Sequence, residues 1–215
     1  MEKTVLIFRE NTGMTKIEVM ISLAILTIVV GAAISFLTFS QRQFMWIDTD
    51  QKIQADMRAA LQHMTINIRD AERFCAGSDT NYFKMRIPNL NDVGSALGYD
   101  TFIYKVDPSD TTRLLLELIQ TATSKHDGWG KKISETYDAV NQETTSTWLM
   151  IDKTSNTYDS SPVALFSYPG GTSIFPYNEG NVFSVTVTLQ VSRQSVPGKY
   201  QTRSLSTSVR SRNSF

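Results

Sequence analysis

The sequence predicts an α+β fold, with one long N-terminal helix followed by an antiparallel sheet. Three observations lead there. Residues 19–39 contain one glycine and no charged residue, proline, asparagine or glutamine. After Ser40, apolar residues recur mostly at three- and four-residue steps, the period of one helix face. Beyond Ala76 the chain turns to short stretches of two-residue alternation, clearest over residues 182–192.

The first element is the apolar run itself. As a helix, its roughly 21 residues rise about 31 Å, the thickness of a bilayer's hydrocarbon core. Glu18 stands at its start, where a carboxylate is costly unless it has a partner or a task. Lys3, Arg9 and Lys16 precede the run and Arg42 follows it. The positive-inside tendency therefore predicts a single span with a cytoplasmic N-terminus and the remainder outside the inner membrane.

Gly13, Met14, Thr15, Ile17, Glu18 and Val19 open this run. In that spacing the stretch resembles the processing site of type IV prepilins and type II secretion pseudopilins. Lys16 departs from the pattern, which usually has an apolar residue there. The resemblance implies a leader, residues 1–13, removed by a membrane-embedded prepilin peptidase that cuts after Gly13 and methylates the new amino group of Met14. It also implies that Glu18 neutralises the N-terminal ammonium of a neighbouring subunit within a fibre. Two opposite charges buried together avoid much of the desolvation cost that each would carry alone.

Three other readings compete. An uncleaved signal anchor needs no Gly13 and gains nothing from Glu18. A secretory signal peptide ending at Gly31-Ala32-Ala33 conflicts with Ile34–Phe39, which carries the apolar run onward. A buried core helix conflicts with a surface that is apolar on all sides.

The helical pattern continues past the apolar run. Phe44, Ile47, Ile53, Met57, Ala60, Leu61, Met64, Ile68, Ala71 and Phe74 mark one face, with Asp50, Lys52, Asp56, Arg58, Arg69 and Asp70 largely between them. The expectation is one helix over residues 14–74, with 19–39 in the membrane or a fibre core, and a β-rich head over 75–215. Within the apolar half, Gly31 and Ser35 form a small-xxx-small pair that lets another helix approach closely, so Gly31 joins Glu18 as an assembly residue.

In the head, Phe83, Met85 and Ile87 alternate in a short strand that Pro88 is expected to end. Further strands are expected over 101–106, 113–120, 147–152, 163–167, 182–192 and 200–210. Arg193–Gly198 reads as a turn, and Thr121–Ser146 as a long exposed loop. Strands with one apolar and one polar face suit an antiparallel sheet covered on one side by the amphipathic helix. Cys75, the single cysteine, excludes an intramolecular disulfide and reads as a small buried hydrophobe near a helix end.

Two further stretches narrow the resemblance. Met64-Thr65-Ile66-Asn67-Ile68-Arg69-Asp70-Ala71 is similar to a stretch of W-type minor pilins and J-type pseudopilins, with Asn67 in place of the usual acid. Ser208-Val209-Arg210-Ser211-Arg212-Asn213 is similar to the W-type ending.

Little in the chain points to catalysis. His63 and His126 lack metal-ligand spacing to each other or to Cys75. There is no nucleophile elbow and no phosphate-cradling glycine loop. No enzymatic activity, cofactor or metal is expected. The oxygen-rich Asp107-Pro108-Ser109-Asp110 and Asn89-Leu90-Asn91-Asp92 fall short of a calcium loop's ligand count and suit turns. The formal charge is zero, and removing residues 1–13 leaves it there, because Lys3 and Arg9 cancel Glu2 and Glu10. Arg203, Arg210 and Arg212 therefore read as solvated surface, and no nucleic acid is expected as a partner.

The resemblance implies a structural minor pilin of the W-type, incorporated at or near the tip of a type IV pilus to initiate assembly. Its partners would be the prepilin peptidase, other minor pilins and the major pilin through helix packing, the inner-membrane assembly platform, and membrane lipid. It would reside in the inner membrane first and in the fibre at the cell surface later. A J-type pseudopilin of a type II secretion system is the alternative within the family. An uncleaved, membrane-anchored binding domain is the alternative outside it.

Overall fold

The computed structural model describes residues 15–90, 96–121, 124, 126–152, 163–169 and 184–212. One helix, α1, runs from Lys16 to Asp70. Nine strands follow among the described residues: β1 (Arg73–Phe74), β2 (Tyr82–Leu90), β3 (Ala96–Val106), β4 (Arg113–Thr121), β5 (Lys131–Asp138), β6 (Glu143–Asp152), β7 (Phe166–Ser167), β8 (Ser184–Val196) and β9 (Lys199–Arg210). The expected α+β architecture with an antiparallel sheet is present, but the strands form two sheets. One has six strands in the order β1-β2-β3-β4-β6-β5, the other three in the order β7-β8-β9. Every pairing is antiparallel.

The chain divides into two compact units, Met1–Trp46 and Ile47–Phe215, so the second half of α1 belongs with the strands. In that unit Ile53, Met57, Met64 and Ile68 are fully buried at helical spacing. Each contributes about 1.5–3 kcal/mol by leaving water. The predicted face begins later than expected. Phe44 and Ile47 are 70% and 49% exposed, and Ile53 is the first buried member.

Phe74 also departs from expectation, since it is buried in β1 and not in the helix, which ends at Asp70. The last turn of α1 is closed by the C-terminal segment. Arg212 N–H donates to the Arg69 carbonyl at 2.9 Å, and the Ser211 hydroxyl donates to the Ala71 carbonyl. Carbonyls at a helix end lack intrahelical donors, and these two bonds supply them.

Pro88 does not end β2. The strand continues to Leu90, with Pro88 opposite Tyr99 of β3. Even-numbered residues of β2 turn their backbone groups toward β1, as the Lys84 and Arg86 carbonyls show by accepting from Cys75 and Glu72 N–H. β1 stops short of Pro88, so the missing N–H faces no strand and costs no ladder bond.

The expected loop over 121–146 contains β5 and the start of β6. All eight residues of β5 are exposed, so no apolar alternation marked it. The expected turn at 193–198 is also mostly strand, because β8 reaches Val196 and only Pro197-Gly198 turn the chain.

An aromatic cluster joins the two sheets. Phe83 of β2 lies 5.2 Å from Phe166 of β7, 6.1 Å from Tyr168 and 5.2 Å from Phe74, ring centre to ring centre. Phe166 N–H donates to the Thr80 carbonyl at 3.0 Å, and the Tyr168 hydroxyl donates to the Asp79 carbonyl at 3.0 Å. Asp56–Arg193 at 2.7 Å and Asp50–Arg203 at 2.6 Å tie α1 to β8 and β9.

Candidate functional site

The residues singled out by sequence fall at the start and along the apolar half of α1. Gly13 and Met14 lie outside the described residues. Thr15 and Glu18 form a reciprocal cap. Thr15 N–H and Oγ1 donate to Glu18 Oε2 at 2.8 and 3.1 Å, and Glu18 N–H donates to Thr15 Oγ1 at 3.3 Å. This is the S/T-x-x-E box that satisfies donors left bare at a helix start. A carboxylate in the first turn also complements the positive end of the helix dipole. The box is legible in the sequence, but the intermolecular role implied for Glu18 obscured it. Both intrachain bonds use Oε2, and Oε1 makes none among the described residues.

Every large apolar side chain from Ile17 to Ile47 is exposed, from 38% at Trp46 to 73% at Ile28. Three hydroxyls inside this stretch turn back on the helix. Thr27 donates to the Leu23 and Ala24 carbonyls at 2.8 Å, Ser35 to Gly31 at 2.8 Å, and Thr38 to Ser35 at 2.9 Å. Such back-bonding satisfies these hydroxyl protons in an apolar medium. The helix is therefore long and apolar enough to cross a membrane. A Cβ added to Gly31 meets nothing within 4 Å, so nothing described inside the chain requires glycine there.

The head holds two polar clusters that sequence did not foresee. Asp100, fully buried, receives the Ser124 hydroxyl on Oδ2, and His126 Nδ1 lies 2.6 Å from the same oxygen. Gln120 Nε2 donates to Ser124 Oγ at 2.6 Å and to the His126 carbonyl at 2.5 Å. Phe102 meets the His126 ring edge-on at 5.6 Å.

Serine, histidine and aspartate are thus together, but not as a nucleophilic triad. In a triad the imidazole stands between hydroxyl and carboxylate and takes the hydroxyl proton. Here hydroxyl and imidazole share one carboxylate oxygen, so the imidazole is not placed as a base for Ser124. The arrangement pins the β4–β5 connection onto the sheet.

The same connection reaches α1. Trp129 stacks on His63 at 5.7 Å, and His63 Nδ1 lies 3.1 Å from the Tyr104 hydroxyl. Asn67 Nδ2 donates to that hydroxyl at 2.8 Å. The glycines beside Trp129 are required by close approach. A Cβ on Gly128 would stand 2.1 Å from Trp148 Nε1, and one on Gly130 2.3 Å from the Leu149 carbonyl, where φ is also +106°. Gly128-Trp129-Gly130 was the available sequence signal for a packed connection.

Burial lowers the His63 pKa to about 4 and raises that of Tyr104 well above its ordinary value. His63 is therefore neutral in the fold and protonates in the unfolded chain near 6.5, so its contribution to stability is complete above that pH. It is lost as pH falls from 6.5 through about 4. After discounting for partial exposure of the ring, the loss is about 2 kcal/mol. Melting temperatures over that range should fall less steeply with acid in His63→Gln than in the wild type. Parallel slopes would refute the assignment.

The other marked residues have local roles. Cys75 is buried, as expected, just beyond β1. Asp107 Oδ1 accepts from Ser109 N–H at 2.8 Å. Asp110 Oδ1 accepts from the Thr112 hydroxyl at 2.6 Å, and Asp110 Oδ2 lies 3.2 Å from Arg113 Nε. These carboxylates shape the β3–β4 turn. Asn89 turns into the core, while Asn91 and Asp92 lie outside the described residues. Arg203 is held by Asp50, and Arg210 is exposed. Among the described residues, no three histidine, cysteine or acidic side chains gather as a metal site.

No protein-family model, curated protein or solved structure matches the chain.

Proposed function

We propose that this chain is a prepilin-like structural subunit, a W-type minor pilin cut after Gly13 and assembled at or near the tip of a type IV pilus. The observation that carries the reading is the apolar half of α1. It is exposed on all sides, back-bonded at Thr27, Ser35 and Thr38, and opened by a glutamate five residues beyond a glycine. A helix of this kind is stable in lipid and equally stable among like helices, so one can replace the other as its surroundings.

Cutting after Gly13 leaves Thr15 and Glu18 in the mature chain, so the cap survives processing. Glu18 Oε1 then remains for the methylated ammonium of Met14 in a neighbouring subunit. Phe44, Met45 and Trp46, all exposed just past the run, suit a membrane–water boundary. Gly31, around which the chain itself leaves open space, gives a second helix room to approach. The two stretches similar to W-type subunits meet through Arg69–Arg212 and Ala71–Ser211, where they close the helix end.

The test is the N-terminal mass of the protein from membranes, with and without prepilin peptidase. The expected species begins at methylated Met14 and is lost when the peptidase is absent. An intact leader in both strains would overturn the proposal and leave a membrane-anchored domain. Glu18→Leu is expected to be cut normally but depleted about tenfold or more from sheared fibres, since an unpaired buried ammonium costs several kcal/mol.

A further inference from the structure

Among the described residues, the four sheet edges differ in how they are guarded. β1 and β7 have two residues each, too short to template a partner. β5 is longer, but it begins with Lys131-Lys132 and is bulged between Lys132 and Ser134. Lysines and bulges are the usual protections of an edge. β9 has twelve residues, no proline, and a regular register with β8 from Lys199 inward to Arg210, apart from the irregularity at the hairpin end.

The register shows which backbone groups of β9 are open. Thr188 N–H donates to the Leu165 carbonyl, so even residues of β8 face β7 and odd residues face β9. Odd residues of β8 pair with Gln201, Arg203, Leu205, Thr207 and Val209. The N–H and carbonyl groups of Thr202, Ser204, Ser206, Ser208 and Arg210 therefore point away from β8. All five residues are exposed. Two residues past β9 and in the same phase, Arg212 N–H meets the Arg69 carbonyl, which closes the edge at that end.

We propose that the free edge of β9 accepts an extended strand of a partner polypeptide that carries acidic side chains. The ladder from Thr202 to Arg210 offers the hydrogen bonds of strand addition. Its charges select the partner, since β9 carries exposed Lys199 and Arg210 at its two ends and no acid, Arg203 being held by Asp50. The side chains between them, Thr202, Ser204, Ser206 and Ser208, are small hydroxyls that leave the edge sterically open. This assignment stands apart from the fibre reading, and neither depends on the other.

The experiment uses the full chain in detergent micelles and a short synthetic peptide alternating glutamate with valine. A lysine–valine peptide serves as control. The glutamate peptide is expected to bind about tenfold or more tightly than the lysine peptide. On binding, the amides of Thr202, Ser204, Ser206 and Ser208 should gain protection from hydrogen exchange, while those of Leu205 and Thr207 stay as they were. Ser204→Pro removes one outward donor without touching the β8 ladder, and should weaken binding about tenfold. Unchanged exchange at the even residues, or equal binding of both peptides, would overturn the proposal. So would a concentration-dependent dimer of the chain alone that Ser204→Pro abolishes, which would make a second copy the occupant.

Discussion

Replacing Phe83 by alanine is expected to lower the stability of the head by about 3–5 kcal/mol. At the size of this unit, that corresponds to a fall in melting midpoint of roughly 10 °C or more. Phe83 is fully buried and is the side chain that both sheets share, in contact with Phe74 of β1, Phe166 of β7 and Tyr168. Removing the ring forfeits its transfer from water and leaves a space between two sheets. The backbone bond from Phe166 N–H to Thr80 and the bond from the Tyr168 hydroxyl to Asp79 hold those sheets in place, so they cannot close over it. Phe44→Ala is the control, because that ring is 70% exposed and its loss should stay within about 0.5 kcal/mol. Thermal unfolding followed by circular dichroism decides the matter. A Phe83→Ala midpoint as close to wild type as the control's would show that this cluster does not join the sheets.

Phe83 was legible in the sequence because its strand alternates. Phe83, Met85 and Ile87 point to one face, and the same rule located β8 and β9 from their apolar residues. Alternation fails where both faces of a strand meet water. β5 shows this, with Lys131 to Asp138 exposed throughout and Ile133 and Tyr137 offset by a bulge. It also fails at Phe74. The residue continues the helical spacing of Ile68 and Ala71 and is buried as that spacing requires, but in a strand. Its burial was predictable and its backbone conformation was not.

The start of α1 was legible for another reason. A carboxylate beside an apolar run, with threonine three residues before it, is a local pattern whose physics needs no tertiary partner. The polar clusters of the head are the opposite case. His63 and Tyr104 are 41 residues apart, and His126 and Asp100 26 apart, and they meet only because β3 passes under α1 and the β4–β5 connection. Without the register of β3 against β2 and β4, sequence offers no reason to pair them. Gly128 and Gly130 do mark close packing at Trp129, but only the fold shows what Trp129 packs against.

Asp100→Ala is therefore the substitution that separates a structural role from a chemical one for Ser124 and His126. Asp100 is the shared acceptor on which both depend, and its loss leaves a hydroxyl and an imidazole without the carboxylate they were placed against. Two donors that share one buried acceptor are both orphaned when it is removed, and each unsatisfied group carries a desolvation cost. A loss of about 2–4 kcal/mol is expected. It should appear with faster hydrogen exchange across the β4–β5 connection, while the β8–β9 amides exchange as before.

Because the Ser124 hydroxyl donates to Asp100, Ser124→Ala should cost less once Asp100 is alanine than in the wild type, keeping only the share due to the bond from Gln120 Nε2. The coupling in that double-mutant cycle measures the latch. A near-zero coupling with an undisturbed connection would mean that the three side chains are not a fastening. Their meeting on one carboxylate oxygen would then need a cause other than holding the β4–β5 connection to the sheet.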